Sequence, residues 1–452
     1  MLPHSFLSAA LVGVLLAAPT ARAADTPTDP CVARSSASLD ALVRGDYAGA
    51  RKDFNAAVGQ AVDVVRLEQV WAKIQSQAGA YREDAESRRQ NMGGHEVVVT
   101  PVSFANMSLD FVVACDEHGK ISTFRFIPSH AAAGGIAPPA ASAHAGGDGV
   151  QLQPLAVTSP LGPLPGVLTL PEGKGLFPAV VLVGGSGAHD RDETIGPNKP
   201  FRDLAVGLAR HGIASLRYDK RTYAYAVQMA GKAIAVDDEV TDDVLTAAHV
   251  LGKQAQIDPH RIFVLGHSLG ALMAPRIGER DPQLSGLILL AAPSSFGLDT
   301  VIRQMQYIGH LQGTPAAELD KALAPVIKAR DEMARADSAK PPQGSFLNAP
   351  ASYWLSLRDY DAVAVAKTLH MPMLVLQGSG DYQVTPEGDF IHWQAAFAHS
   401  QRVELKEYPG LSHLFMPASQ PPSPADYGKP GHVDARVIRD IAAWVKAQPA
   451  HF

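Results

Sequence analysis

Apolar positions recur at helical spacing early in the chain. Leu39, Leu42 and Val43, then Leu67, Val70, Trp71 and Ile74, fall three or four residues apart, so positions 36 to 86 are expected to be helical. The period then drops to two. Val97 to Val99 is a short β-branched run, and Leu109, Phe111, Val113 and Cys115 occupy every second position up to a turn at Asp116 to Lys120, with a return strand through Phe124 and Phe126. A small α+β domain over residues 24–128 is the expected result. Ser129 to Val150 is rich in Ala, Gly and Pro and lacks large apolar residues, so residues 129–150 read as a linker. From about Gln151 strands alternate with helices, the pattern of a mostly parallel sheet covered on both faces. Phe177 to Val183, Ala214 to Tyr218, Arg261 to Leu265, Leu284 to Leu290, Met373 to Gln377 and Val403 to Tyr408 are short apolar runs, as strands buried on both faces should be. Helical stretches at Phe201 to Arg210, Val240 to Gly252 and Val433 to Ala447 separate or follow them. Asp299 to Leu357 breaks this rhythm with helical patterns of its own, such as Val301, Met305 and Ile308, and is a candidate cap within a catalytic domain at 151–452.

Composition narrows the function. A chain of 452 residues, 46% apolar, can fill more than one core, and a formal net charge of -6 without a Lys/Arg block excludes the electrostatic footprint of a nucleic-acid binder. An apolar run from Phe6 to Ala18 followed by Ala21-Arg22-Ala23 reads as a signal peptide over residues 1–23, which predicts a periplasmic or secreted protein. No later segment has 18 consecutive apolar residues, so no integral membrane segment is expected after processing. The two cysteines, Cys31 and Cys115, are compatible with one disulfide in an oxidising compartment or with two separate small buried residues, and spacing does not choose between them.

The chemistry centres on Gly266-His267-Ser268-Leu269-Gly270. It follows an apolar strand and opens a helix, the setting of the G-x-S-x-G nucleophile elbow, in which glycines permit a turn too tight for side chains and the serine is thrown out above the sheet. A serine hydroxyl needs a histidine base and an acid to orient it, and in this fold both follow in the order Ser, Asp/Glu, His. Asp381, after the strand ending at Gln377, is the candidate acid, and His413, after Val403 to Tyr408, the candidate base. Glu387 and Asp389 are rival acids, read instead as solvating a surface helix. His189, His267 and His392 have the wrong place in the order, and His267 reads as a packing residue beside the serine. For an oxyanion hole the candidates are Leu269 N–H and, from the loop Gly184-Gly185-Ser186-Gly187, Ser186 N–H in preference to Gly185 N–H. In Asp190-Arg191-Asp192-Glu193, Arg191 is either a site for an acidic substrate group or, as preferred, part of a salt-bridge network with Arg217, Lys220 or Arg221. No metal-ligand spacing occurs and no cofactor is implied.

These motifs carry a resemblance. Gly184-Gly185-Ser186-Gly187, Asp190-Arg191-Asp192-Glu193, Arg217-Tyr218-Asp219-Lys220-Arg221, Tyr353-Trp354, Gly378-Ser379-Gly380-Asp381-Tyr382-Gln383-Val384 and Ser412-His413-Leu414-Phe415 resemble those of exported bacterial α/β-hydrolase serine esterases, the EstD-like family, across nearly all of positions 150 to 450. The resemblance implies an eight-stranded sheet with a helical cap and a triad at Ser268, Asp381 and His413. The N-terminal helices and meander more loosely resemble cone-shaped α+β domains of the nuclear-transport-factor-2 type, and Ala188 stands where the family pattern has proline. The expected activity is a carboxylesterase acting on a small-molecule ester. A serine peptidase or thioesterase on the same fold is the alternative, and a catalytically inert carbohydrate- or cell-wall-binding protein is the rival from another class. Acyl and alcohol groups, substrate-binding residues and oligomeric state are not encoded in any recognisable motif.

Overall fold

The computed structural model describes residues 29–92, 95–105, 108–128, 144–146, 149–229, 232–347 and 349–450; the expected signal peptide lies outside them, as does most of the expected linker. The N-terminal part begins with helices at Pro30–Val43, Tyr47–Ala50, Ala56–Ala61 and Val64–Ala78. The helical reading of positions 36 to 86 holds at its two apolar repeats, and the helix caps divide the region further. Asp29, Asp46, Asn55 and Asp63 each accept a hydrogen bond from the backbone N–H of Cys31, Gly49, Val58 or Arg66, and each such cap starts a new helix. The end of the region is strand, Tyr81–Asp84, in an antiparallel five-stranded sheet whose central strands are His95–Phe104 and Ser108–Cys115, with Ile121–Pro128 at one edge. Leu39, Leu42, Leu67 and Trp71, the periodic helical residues, are buried against Phe104, Phe111, Val113 and Ile121.

A disulfide joins Cys31 in the first helix to Cys115 in a central strand, with Cα atoms 6.0 Å apart. It closes a loop with a sequence separation of 84 residues, for which loop-closure entropy gives about 4.6 kcal/mol of stabilisation. Cys115→Ser is therefore expected to lower the unfolding free energy of this domain by roughly 2–5 kcal/mol. Urea denaturation followed by tryptophan fluorescence measures it, and a change below about 1 kcal/mol would show that the bridge contributes little.

The larger domain is built on a nine-stranded sheet. Its strands run in the spatial order Val403–Tyr408, Met373–Gly378, Gly286–Leu290, Ile257–His267, Phe177–Val183 and Ala214–Tyr218, all parallel, followed by antiparallel Gly166–Pro171, Val150–Pro154 and His144–Gly146. The implied eight strands become nine because His144–Gly146, inside the expected linker, pairs with Val150–Pro154 at the sheet edge. An edge strand is held by backbone hydrogen bonds and needs no large apolar side chain, so composition does not announce it.

The period-2 pattern of the parallel strands produces two cores. Val180, Leu182, Phe263, Leu265, Ile288, Leu374 and Leu376 face the helices Pro200–Arg210 and Ala435–Ala447. Their chain neighbours Val181, Val264, Leu287, Leu289 and Val375 face the opposite way, with Asp242–Gly252 and Leu269–Arg280. Each of these buried aliphatic side chains contributes about 1.5–3 kcal/mol relative to exposure, so the site rests on a rigid floor. Leu298–Leu311, Ala316–Arg335 and Ala351–Arg358 form the cap region between the strands Gly286–Leu290 and Met373–Gly378.

Candidate active site

The strand Ile257–His267 ends one residue before Ser268, and the helix Leu269–Arg280 begins one residue after it. Ser268 takes φ 53° and ψ -116°, a conformation costly for a residue with a side chain, and its N–H is held by the Leu290 carbonyl at 2.9 Å. The flanking glycines are required sterically. A Cβ at Gly266 would lie 2.2 Å from the Gly270 carbonyl oxygen, and one at Gly270 would lie 2.2 Å from that of Val183. With its neighbours buried, Ser268 opens onto a cleft of about 560 Å³. Val301, Tyr353 and Trp354 of the cap region line the cleft, together with Phe296 just before it, Met229 and Ser186.

Asp381 and His413 are both buried and meet, with His413 Nδ1 2.7 Å from Asp381 Oδ2. The other carboxylate oxygen of Asp381 accepts from the N–H groups of Gln383 and Val384 at 2.8 and 3.0 Å, which fixes the plane of the carboxylate. The His413 ring lies 4.6 Å, centroid to centroid, from that of His267, the residue before Ser268. The rival acids are elsewhere. Glu387 is exposed. Asp389 does not solvate a surface helix as expected: it is buried, accepts from Ser294 N–H at 3.1 Å and pairs with Arg303 of the first cap helix at 2.8 Å. His392 is exposed, and His189 contacts the Ser186 carbonyl oxygen at 2.9 Å.

The loop after Phe177–Val183 is held from both sides at Gly185. Its N–H donates to Glu193 Oε1 at 2.6 Å, and its carbonyl accepts from Lys220 Nζ, also at 2.6 Å. Lys220 is itself buried and paired with Glu239 at 2.6 Å, and Glu239 lines the cleft. The expected network among the neighbouring charges exists, with Arg217 pairing to the loop as expected and Arg191 and Arg221 finding other partners. Arg191 forms a two-pronged pair with Asp219 at 3.0 and 2.9 Å, and Asp192 pairs with Arg217 at 2.8 Å, while Arg221 reaches Asp243 at 2.5 Å.

The reading of His267 as a packing residue is also corrected. Its Nε2 lies 2.9 Å from the His413 carbonyl oxygen, which can only accept, and its Nδ1 lies 3.0 Å from Glu193 Oε1. Burial opposes charge on both partners, but Glu193, the His413 carbonyl and Asp381 together raise the pKa of His267. In turn, His267, His189 and the Gly185 N–H hold the Glu193 carboxyl below its usual range. Both shifts favour the charged forms, an imidazolium facing a carboxylate. Burial lowers the pKa of nearby His189. Sequence reasoning missed Glu193 and His267 as partners, the only local signal being an acidic residue close after a glycine loop.

A family described as serine aminopeptidase, S33, matches residues 198–418, and a family of proteins of unknown function matches residues 35–124. The chain is 33% identical over 393 residues to esterase EstD of Thermotoga maritima, an alignment covering 85% of this chain and 88% of that protein. Among solved structures it aligns with Est1E from Butyrivibrio proteoclasticus at 15% identity and TM-score 0.42, covering 65% of this chain and 99% of that one. It also aligns with the α/β-hydrolase GrgF from a Penicillium species at 17% identity and TM-score 0.43, covering 66% and 98%. These two likenesses are too remote to bear on the chemistry.

Proposed function

Because this chain belongs to the family of bacterial α/β-hydrolase esterases that includes EstD of Thermotoga maritima, we propose that it hydrolyses carboxylic esters through an acyl-enzyme formed on Ser268. The observation that carries this reading is the strained Ser268 lining a cleft with Phe296, Val301, Tyr353 and Trp354, with the buried His413–Asp381 pair beside the residue that precedes it. His413 takes the proton of Ser268 as Oγ attacks the ester carbonyl, returns it to the leaving alcohol, and then activates water to release the acid. Asp381 keeps the His413 Nδ1 proton in place, leaving Nε2 free to act as base. No cofactor enters this scheme.

Oxyanion stabilisation falls to Leu269 N–H, at the start of the helix, and to Ser186 N–H. Gly185 N–H is already committed to Glu193. The Gly185 carbonyl and the Ser186 N–H share one trans peptide and point in opposite directions, so Lys220, by holding that carbonyl, aims the Ser186 N–H the other way. Lys220→Met is therefore expected to lower kcat on 4-nitrophenyl acetate about tenfold, short of the 10²–10³ of a deleted donor. Steady-state kinetics on the folded variant tests this, and an unchanged kcat would remove Lys220 from the account.

Fluorophosphonate labelling, followed by a series of 4-nitrophenyl esters of graded acyl length, tests the reading as a whole. Labelling at Ser268 with ester turnover supports it; absence of both would favour an inert binding protein. The serine aminopeptidase description of the matched family keeps amide cleavage as the second reading. Turnover of aminoacyl anilides faster than any ester would establish it.

Export to the periplasm or beyond is part of the same proposal. It is supported by the apolar run Phe6 to Ala18 with Ala21-Arg22-Ala23, and by the Cys31–Cys115 disulfide, which suits an oxidising compartment. The mature chain then begins at Ala24. Intact-mass measurement of protein from a periplasmic fraction reads this directly, and a retained Met1 would end the claim.

A further inference from the structure

We propose that the buried Glu193–His267 pair is a positioning device, holding the oxyanion loop and the base loop in register on the nucleophile elbow. The proposal rests on the esterase reading of Ser268 and His413. Three segments must agree for acyl transfer: the loop after Phe177–Val183, the elbow at Ser268, and the loop after Val403–Tyr408. Each hangs from a different strand, and the loops that follow strands are the most mobile part of such a scaffold. Glu193 and His267 reach all three. Glu193 Oε1 takes the Gly185 N–H at 2.6 Å and faces His267 Nδ1 at 3.0 Å, while His267 Nε2 donates to the His413 carbonyl at 2.9 Å.

His413 is thereby held at two points. Asp381 fixes its ring through Nδ1 at 2.7 Å, and His267 fixes its backbone. On the other side, Glu193 sits directly behind Gly185. A Cβ at Gly185 would lie 3.2 Å from Glu193 Oε1 and 3.3 Å from Ser268 Cβ, so no side chain separates the carboxylate, the loop and the nucleophile. Glu193 is 1% exposed and His267 4%, so both act through their neighbours rather than on substrate.

The composition of the pair supports a role beyond packing. Burying an ion pair is costly, and an apolar residue of similar volume often serves stability as well or better. Glu193 also adopts φ 50°, an uncommon conformation for a residue with a side chain. Lys220, His189, Asp381 and His413 are the charged or titratable groups around the pair; burial lowers the His267 pKa, but Glu193, the His413 carbonyl and Asp381 outweigh it and raise the pKa on balance. The charged form is the one that donates from both ring nitrogens at once.

The test uses the full chain carrying Glu193→Gln, His267→Gln, Glu193→Ala, His267→Ala or the double alanine change, assayed on 4-nitrophenyl acetate. The alanine variants are expected to lose about 10²-fold in kcat and the glutamine variants about tenfold, with KM moving less than about threefold, because misplacement of reacting groups by about 1 Å costs that much in rate. The double variant should be no worse than the poorer single one, since either change opens the same link. If the alanine variants do not fold, the glutamine variants decide. A kcat loss under threefold in the folded variants, a loss confined to KM, or losses that multiply in the double variant would overturn the proposal. Wild-type protein that neither turns over esters nor takes the fluorophosphonate label would instead overturn the reading on which it rests.

Discussion

Ser268→Ala is expected to lower kcat on a short-chain aryl ester by about 10⁴-fold or more, and His413→Ala by a similar factor, because nucleophile and base act as one unit and removing either abolishes the acyl-enzyme route. The double variant should fall no further. Some turnover above the uncatalysed rate should persist, since Leu269 N–H and Ser186 N–H remain to stabilise an oxyanion formed by attack of water. The substitution is structurally mild. Alanine keeps a Cβ at the φ 53° position, so the strain of the elbow is unchanged, and only the hydroxyl facing the cleft is lost. Active-site titration with a fluorophosphonate and steady-state kinetics on the same preparations give the result. Undiminished turnover in Ser268→Ala would place the chemistry on another residue.

Asp381→Asn is expected to cost about 10³–10⁴-fold in kcat while leaving the fold intact. The direction follows from the hydrogen bonds around the carboxylate. Oδ1 of Asp381 accepts from two backbone donors, Gln383 N–H and Val384 N–H. In an asparagine the carbonyl oxygen must take that position, which turns the amide NH₂ toward His413 Nδ1. The imidazole then has to accept at Nδ1 and carry its proton on Nε2, the tautomer that cannot receive a proton from Ser268. The loss should appear in kcat more than in KM, and thermal unfolding should shift little. A variant that retains more than about a tenth of wild-type kcat would show that His413 finds its orientation without the charge of Asp381.

Much of this was legible before the structure. The short continuous apolar runs identify strands buried on both faces, and Phe177–Val183, Ala214–Tyr218, Gly286–Leu290 and Met373–Gly378 are so buried, whereas Val403–Tyr408, at the sheet edge, exposes Glu404 and Glu407. The elbow is legible for a local reason: its geometry is set within five consecutive residues, where Gly266 and Gly270 admit no side chain. The positions of Asp381 and His413 follow from chain order, because loops after parallel strands gather at one end of a sheet. The helices of the N-terminal domain were legible as helical but not as four separate helices, since each of the three breaks rests on one capping side chain, at Asp46, Asn55 or Asp63.

What the sequence determined by itself is therefore what is local or dictated by a repeating pattern: the mostly parallel sheet, the strand-turn-helix at Ser268 and the placement of Asp381 and His413 in loops after late strands. The tertiary structure decided which polar residues meet across long distances in the chain. His267 joins Glu193 across 74 residues and the His413 carbonyl across 146, and Asp389 joins Ser294 across 95. No local pattern reports such pairs, because a buried charge is stabilised by whichever opposite charge the packed core brings within hydrogen-bond reach. In the loop Asp190 to Glu193 several arrangements of carboxylates and cations were compatible with the same composition. Only the packing of the elbow against the loops on either side of it gave Glu193 to His267 and left Lys220 to hold Gly185.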